Sequence, residues 1–131
     1  QSQRVEVMEY HKDTWNVNLL AQEAGAAALA DKEYIEKTRE DTKKNIRDMY
    51  NLLREIKSIK VFEPAVNFIL VKLEQSRLSS GELQTRMKKH GVLIRDCSNY
   101  PGLNDKYIRL AIRDAETNRE VADILNECLQ D

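Results

Sequence analysis

The sequence predicts an α/β fold, a two-layer sandwich in which helices cover one face of a small, mainly antiparallel sheet. Three observations carry that expectation. Residues 107–113 alternate, with Ile108, Leu110 and Ile112 on one face and Tyr107, Arg109, Ala111 and Arg113 on the other. Residues 61–73 are rich in β-branched and bulky side chains on either side of Pro64. The remaining segments show helical apolar spacing, several of them behind capping residues. A chain of 131 residues is long enough to bury one such core.

Residues 1–13 hold a short alternating piece, Val5, Val7 and Tyr10, among polar residues, and read as a tail or connector ahead of a domain spanning 14–131. Residues 14–30 read as a helix dense in alanine, the best helix former, whose small side chains allow close approach by a neighbouring backbone. Asp31 offers an acceptor for a new helix start. From 32 to 57, Ile35, Ile46, Met49, Tyr50, Leu53 and Ile56 form one apolar stripe under a heavily charged outer face. At 1.5 Å of rise per residue such a helix runs roughly 38 Å.

Pro64 interrupts the next segment, which predicts a short edge piece, a bend, and a central strand from about Asn67. Ser79 and Glu82 form a capping box for a helix over 80–90. Lys88, Lys89 and His90 suit its negative end, and Gly91 can close it in the left-handed conformation. A short strand is expected at 92–94, followed by a turn-rich loop over 95–102 and the alternating strand. Thr117 and Glu120 read as a second capping box, with Val121, Ile124, Leu125, Cys128 and Leu129 as the stripe of a terminal helix.

Composition narrows the function. Lys plus Arg number 21 against 22 Asp plus Glu, a net charge of -1, which argues against an electrostatically driven nucleic-acid binder. Apolar runs are too short to span a bilayer. Cys97 and Cys128 form no C-x-x-C pair and have only two histidines to join, so no metal site is expected, and two unpaired thiols suit a reducing, cytoplasmic setting. No signal peptide is visible, and the start at Gln1 rather than Met suggests a processed chain or an excised fragment.

No G-x-S-x-G, phosphate loop or H-E-x-x-H occurs, and His11 and His90 read as connector and helix-end residues. The informative stretch is 91–113. If Ile108, Leu110 and Ile112 face the core, Arg109 and Arg113 point from the other face, with Arg95 at the end of the preceding strand. Converging guanidinium groups suit a carboxylate or phosphate, which Arg grips bidentately. The competing reading pairs Arg95 with Asp96 or Asp105, and Arg113 with Asp114.

The run G-V-L-I-R-D-C-S-N-Y-P-G-L followed by Y-I-R-L-A-I-R, from Gly91 to Arg113, resembles the C-terminal small domain of fold-type-I pyridoxal-phosphate enzymes. Within them it is similar to the histidinol-phosphate aminotransferases and threonine-phosphate decarboxylases of the class I/II aminotransferase family. Trp15-Asn16-Val17-Asn18 with Ala21-Gln22, and Pro64-Ala65-Val66-Asn67-Phe68, match two further blocks in the same order. The resemblance implies that Arg109 binds a substrate carboxylate and Arg95 a substrate phosphate, with Asn16, Asn67 and Arg113 as accessory residues. It also implies a cytoplasmic, homodimeric parent that uses pyridoxal phosphate and acts on an anionic small molecule. The cofactor, its Schiff-base lysine and its pyridinium-pairing aspartate would belong to a large domain absent from this chain, which then holds no catalytic residue. Lys43 and Lys44 lie on a charged helix face and do not substitute for that lysine. The R-D-C-S-N form with P-G-L leans towards the decarboxylases. Two alternatives stay open: an amino-acid-phosphate decarboxylase, and a non-catalytic module docking through its charged or alanine-rich helix.

Overall fold

The structure, a computed structural model, describes residues 2–12 and 15–130. The elements run α1 Ser2–Tyr10, α2 Leu19–Ala30, α3 Lys32–Arg54, β1 Ile59–Val61, β2 Phe68–Leu73, α4 Ser80–Lys89, β3 Arg95–Asp96, β4 Tyr107–Ala111 and α5 Ala115–Gln130. They fall into two compact units, residues 1–37 and 38–131.

In the second unit the four strands form one sheet, order β1-β2-β4-β3, with every pairing antiparallel. Period-two alternation sorts the side chains. Ile69, Val71 and Leu73 of β2 and Ile108 and Leu110 of β4 are buried, and the register sets Ile69 beside Leu110 and Val71 beside Ile108. Met49 and Leu53 of α3, Leu83 and Met87 of α4, and Ala122, Leu125 and Cys128 of α5 complete the core against that face. This is the predicted α/β sandwich.

The capping box behind α4 is present: the Ser79 hydroxyl accepts from Glu82 N at 3.2 Å, and Glu82 accepts from Ser79 N at 2.8 Å. Gly91, at φ 78°, closes the helix as expected. The strand expected at 92–94 is not there. Val92 N still bonds Met87 O at 3.1 Å, so this stretch finishes the helix, and pairing begins only where Arg95 meets Arg109. The second capping box is also displaced. Asp114, a stronger cap, accepts from Thr117 N at 2.9 Å and from its hydroxyl at 2.8 Å, and α5 begins at Ala115. Buried Asn118 fixes the entry by accepting from Arg113 N and donating to Arg113 O, both at 2.8 Å. β4 consequently stops at Ala111, and Ile112 is half-buried rather than a full core residue.

In the first unit, α1 is helical where the alternation of Val5 and Val7 suggested an extended piece. Its described side chains are exposed, so no partner strand holds it extended, and Arg, Glu and Met favour helix. α2 begins at Leu19: Asn18, in extended geometry, accepts from Ala21 N at 2.8 Å, and residues 15–18 are not helical. The expected start at Thr14 lies outside the described residues. Asp31 caps α3 as expected, accepting from Tyr34 N at 2.9 Å.

Leu110, 2% exposed, is expected to lose about 2–5 kcal/mol of folding stability on Leu110→Ala, measured by urea denaturation. Leu20, 81% exposed in α2, is expected to change stability by about 0.5 kcal/mol or less when replaced by Ala.

Candidate functional site

The register of β4 between two neighbours builds the site. Leu70 of β2 pairs with Arg109, and Arg109 pairs with Arg95 of β3, so the three form one row across the sheet face turned away from the core. Phe68 and Ala111 form the adjacent row. Arg109 is half-buried, and its guanidinium carbon lies 4.6 Å from the centroid of the Phe68 ring. Arg95 is exposed at the sheet edge, 5.7 Å from the ring of Tyr100. An aromatic face attracts a cation while leaving its N–H donors available. Arg95, Gln84, Asp96, Ser98 and Asn99 line a shallow polar depression of about 320 Å³.

Two guanidinium groups directly opposite each other on adjacent strands repel. Among the described residues no carboxylate forms an ion pair with either of them. Asp96 is turned to the helix side, where it accepts from the Ser80 hydroxyl at 2.6 Å, Ser98 N at 2.9 Å and the Ser98 hydroxyl at 3.1 Å. The Ser80 hydroxyl, then the Ser98 N–H, hold its carboxyl below the usual range, against partial burial. Asp114 is likewise engaged by Thr117 rather than bridged to Arg113. The result is a doubly positive patch with free donors, suited to a carboxylate or phosphate.

The other candidate residues are less central. Arg113 falls beyond the end of β4, with its backbone held by Asn118 and its side chain exposed. Asn67 is exposed beside Phe68, and its carbonyl accepts from Ile112 N at 2.9 Å. Asn16 is an exposed residue of the first unit. Sequence reasoning missed Phe68, Tyr100, Ser80 and Gln84. Phe68 was readable, since it shares parity with Leu70 and not with Ile69, Val71 and Leu73. Ser80 was not, because its role needs the contact of α4 with β3. Cys97 is buried, and burial pushes its thiol up despite the nearby Arg109 and Arg95 charges.

Two of the lysines are held by local contacts, and two more are exposed on a helix. Lys106 Nζ donates to the carbonyls of Ser76, Arg77 and Leu78 at 3.4, 3.3 and 2.8 Å. Lys72 lies 3.7 Å from Glu74, and Lys43 and Lys44 are exposed on α3.

The family model described as aminotransferase class I and II matches residues 3–125. The chain belongs to this family. It is 37% identical over 123 residues to the histidinol-phosphate aminotransferase of Methanococcus aeolicus, covering 94% of this chain and 33% of that protein. It is 33% identical over 115 residues to the threonine-phosphate decarboxylase of Salmonella typhimurium, covering 88% of this chain and 31% of that one. This aminotransferase-family chain thus spans about a third of the length of the curated relatives it matches. The crystal structure of the histidinol-phosphate aminotransferase from Clostridium acetobutylicum superimposes with a TM-score of 0.81 at 31% identity, over 94% of this chain and 36% of that one.

The lowered pKa of Asp96 sets the sign of an acid response. The group stabilises the fold above its unfolded pKa of about 3.9, and the contribution is lost as pH falls from there through the lower folded value. Asp96→Asn is therefore expected to be destabilised relative to the parent chain at pH 7, with the gap shrinking below about pH 4 in paired denaturation curves.

Proposed function

We propose that this chain is the small, substrate-gripping domain of a pyridoxal-phosphate-dependent aminotransferase acting on an amino acid or amino-acid phosphate. The observation that carries the reading is the cross-strand pair of Arg95 and Arg109, both without a carboxylate partner among the described residues and both resting on aromatic rings. Half-buried Arg109 takes the substrate carboxylate, where desolvation strengthens a bidentate bond. Exposed Arg95, beside the polar depression, takes a phosphate at the edge of the site. Asn67 and Arg113 act at its margin, and Asn16 belongs to the segment entering α2. The electron sink is supplied by pyridoxal phosphate, whose lysine lies in the large domain outside this chain. The longer relatives, about three times this chain's length, support that division. On this reading the parent is a homodimer, and it is cytoplasmic, in keeping with a chain that holds only two cysteines, far apart in sequence.

A second reading, the small domain of a threonine-phosphate-type decarboxylase, is favoured by the 33% identity to the Salmonella enzyme and by the Arg95-to-Asn99 run. Both readings use the same grip on anionic groups and differ in the bond broken. Assaying the full-length enzyme for amino transfer from histidinol phosphate and for carbon dioxide release from threonine phosphate separates them. Arg95 and Arg109 buried in internal salt bridges would favour the interaction-module alternative, and among the described residues neither forms such a bridge.

In the full-length enzyme, Arg109→Ala is expected to lower kcat/KM about 30- to 1000-fold, or about 2–4 kcal/mol of transition-state binding. Arg95→Ala should cost more with a phosphorylated substrate than with its unphosphorylated analogue. Equal losses on the two substrates contradict the phosphate role of Arg95.

A further inference from the structure

We propose that Asp96 is a positioning residue: tied to Ser80, it holds β3 in the register that places Arg95 opposite Arg109, and so sets the spacing of the two guanidinium groups. The inference rests on the anion-binding reading above. β3 has only two residues, Arg95 and Asp96, and lies at the sheet edge with β4 as its single strand neighbour. So short a ladder contributes few backbone hydrogen bonds, and something else must fix it. α4 does so from the core side. Its first residue, Ser80, is fully buried and donates to Asp96 at 2.6 Å. One turn along, Gln84 Nε2 donates to the carbonyl of Ile94 at 2.8 Å. The two contacts grip the chain on either side of Arg95.

Ser80 is itself anchored, its N–H bonding Asp105 O at 2.6 Å just before β4. The clamp therefore ties β3 to the start of the strand that carries Arg109. On the far side, Asp96 accepts from Ser98 N and Oγ, which turns the chain into the loop bearing Tyr100, the ring under Arg95. A single carboxylate orients both the backbone of Arg95 and the start of its aromatic support. Its neighbour Arg95 forms no ion pair with Asp96 among the described residues, although both line the polar depression and the two charges attract.

Charge and geometry make opposite predictions here. Deleting a carboxylate next to Arg95 removes negative potential and, on electrostatics alone, tightens an anion. Releasing β3 loosens it. The test is a titration of the 131-residue chain, labelled with nitrogen-15, with inorganic phosphate, following the side-chain Nε–H signals of Arg95 and Arg109. In the unaltered chain both signals are expected to move on one saturation curve. Asp96→Ala and Ser80→Ala are each expected to raise the Kd by about fivefold or more, the equivalent of one net hydrogen bond, and to separate the Arg95 and Arg109 curves. Asp96→Asn keeps an oxygen for Ser80 and Ser98, and is expected to bind within about twofold of the unaltered chain or more tightly. Gln84→Ala, which leaves the buried serine in place, should weaken phosphate in the same direction and carries the test if either alanine variant fails to fold. Tighter binding in Asp96→Ala, or equal weakening in Asp96→Ala and Asp96→Asn, overturns the proposal. Weakening by Arg95→Ala with no effect of Asp96→Ala, Ser80→Ala or Gln84→Ala overturns the clamp and leaves the anion site standing. No effect of Arg95→Ala overturns both.

Discussion

Every feature of the candidate site depends on the register of β4 between β2 and β3. Side chains on a strand alternate with a period of two, so a slip of one residue would exchange the faces. Arg109 would then enter the core among Ile69, Val71 and Leu125, and Ile108 and Leu110 would face outward. The cost of burying an unpaired guanidinium against apolar side chains far exceeds that of any surface rearrangement. The hydrophobic core thus specifies the placement of the charge. Leu110 against Ile69 and Ile108 against Val71 fix β4, and Arg109 takes the one face left to it.

That placement carries an electrostatic cost, since Arg95 and Arg109 are direct neighbours of like sign. Surface arginines normally lessen such repulsion by pairing with nearby carboxylates, and Asp96 is adjacent in sequence. The structure sends Asp96 to Ser80 and Ser98 instead and supports the two guanidinium groups on Phe68 and Tyr100. Cation–π contacts contribute about 0.5–1 kcal/mol at exposed sites and leave the positive charge in place. A site organised this way keeps both its field and its donors for a ligand, which an internal salt bridge would cancel. The same alternation that separates Arg109 from the core turns Asp96 towards Ser80.

Much of this was legible in the sequence because it rests on local rules. The alternation of 107–113 identified the strand and the outward face of Arg109, and Ser79 with Glu82 located the start of α4. The misreadings share a cause. At 92–94 the residues Val, Leu and Ile suit a strand, but Gly91 and the bond from Val92 to Met87 extend the helix exit through them. At the start of α5, Thr117 and Glu120 have the spacing of a capping box, yet Asp114 lies three residues earlier and is the better acceptor. Both cases turned on competition between neighbouring local signals. The Ser80–Asp96 bond was hidden for another reason: it joins residues sixteen apart in the chain and exists only after α4 docks on β3.

The two units are held by different forces. In the second, α3, α4 and α5 each bury an apolar stripe, and tertiary packing stabilises helices whose surface residues are mostly charged. In the first, α2 buries no residue at all, although it is the most apolar helix in sequence. Twelve residues is near the length at which a helix in water is marginal even when rich in alanine, and Gly25 lowers it further by about 1 kcal/mol. What sustains α2 is local: alanine propensity along its body, Asn18 capping its first turn, and Asp31 bonding back to Ala28 at its end. Asp31 also accepts from Tyr34, so one residue ends α2 and begins α3. Capping residues are worth about 0.5–2 kcal/mol each, comparable to the deficit they offset. Short-range hydrogen bonds define the first unit, whereas burial defines the second and, through the register of β4, the site.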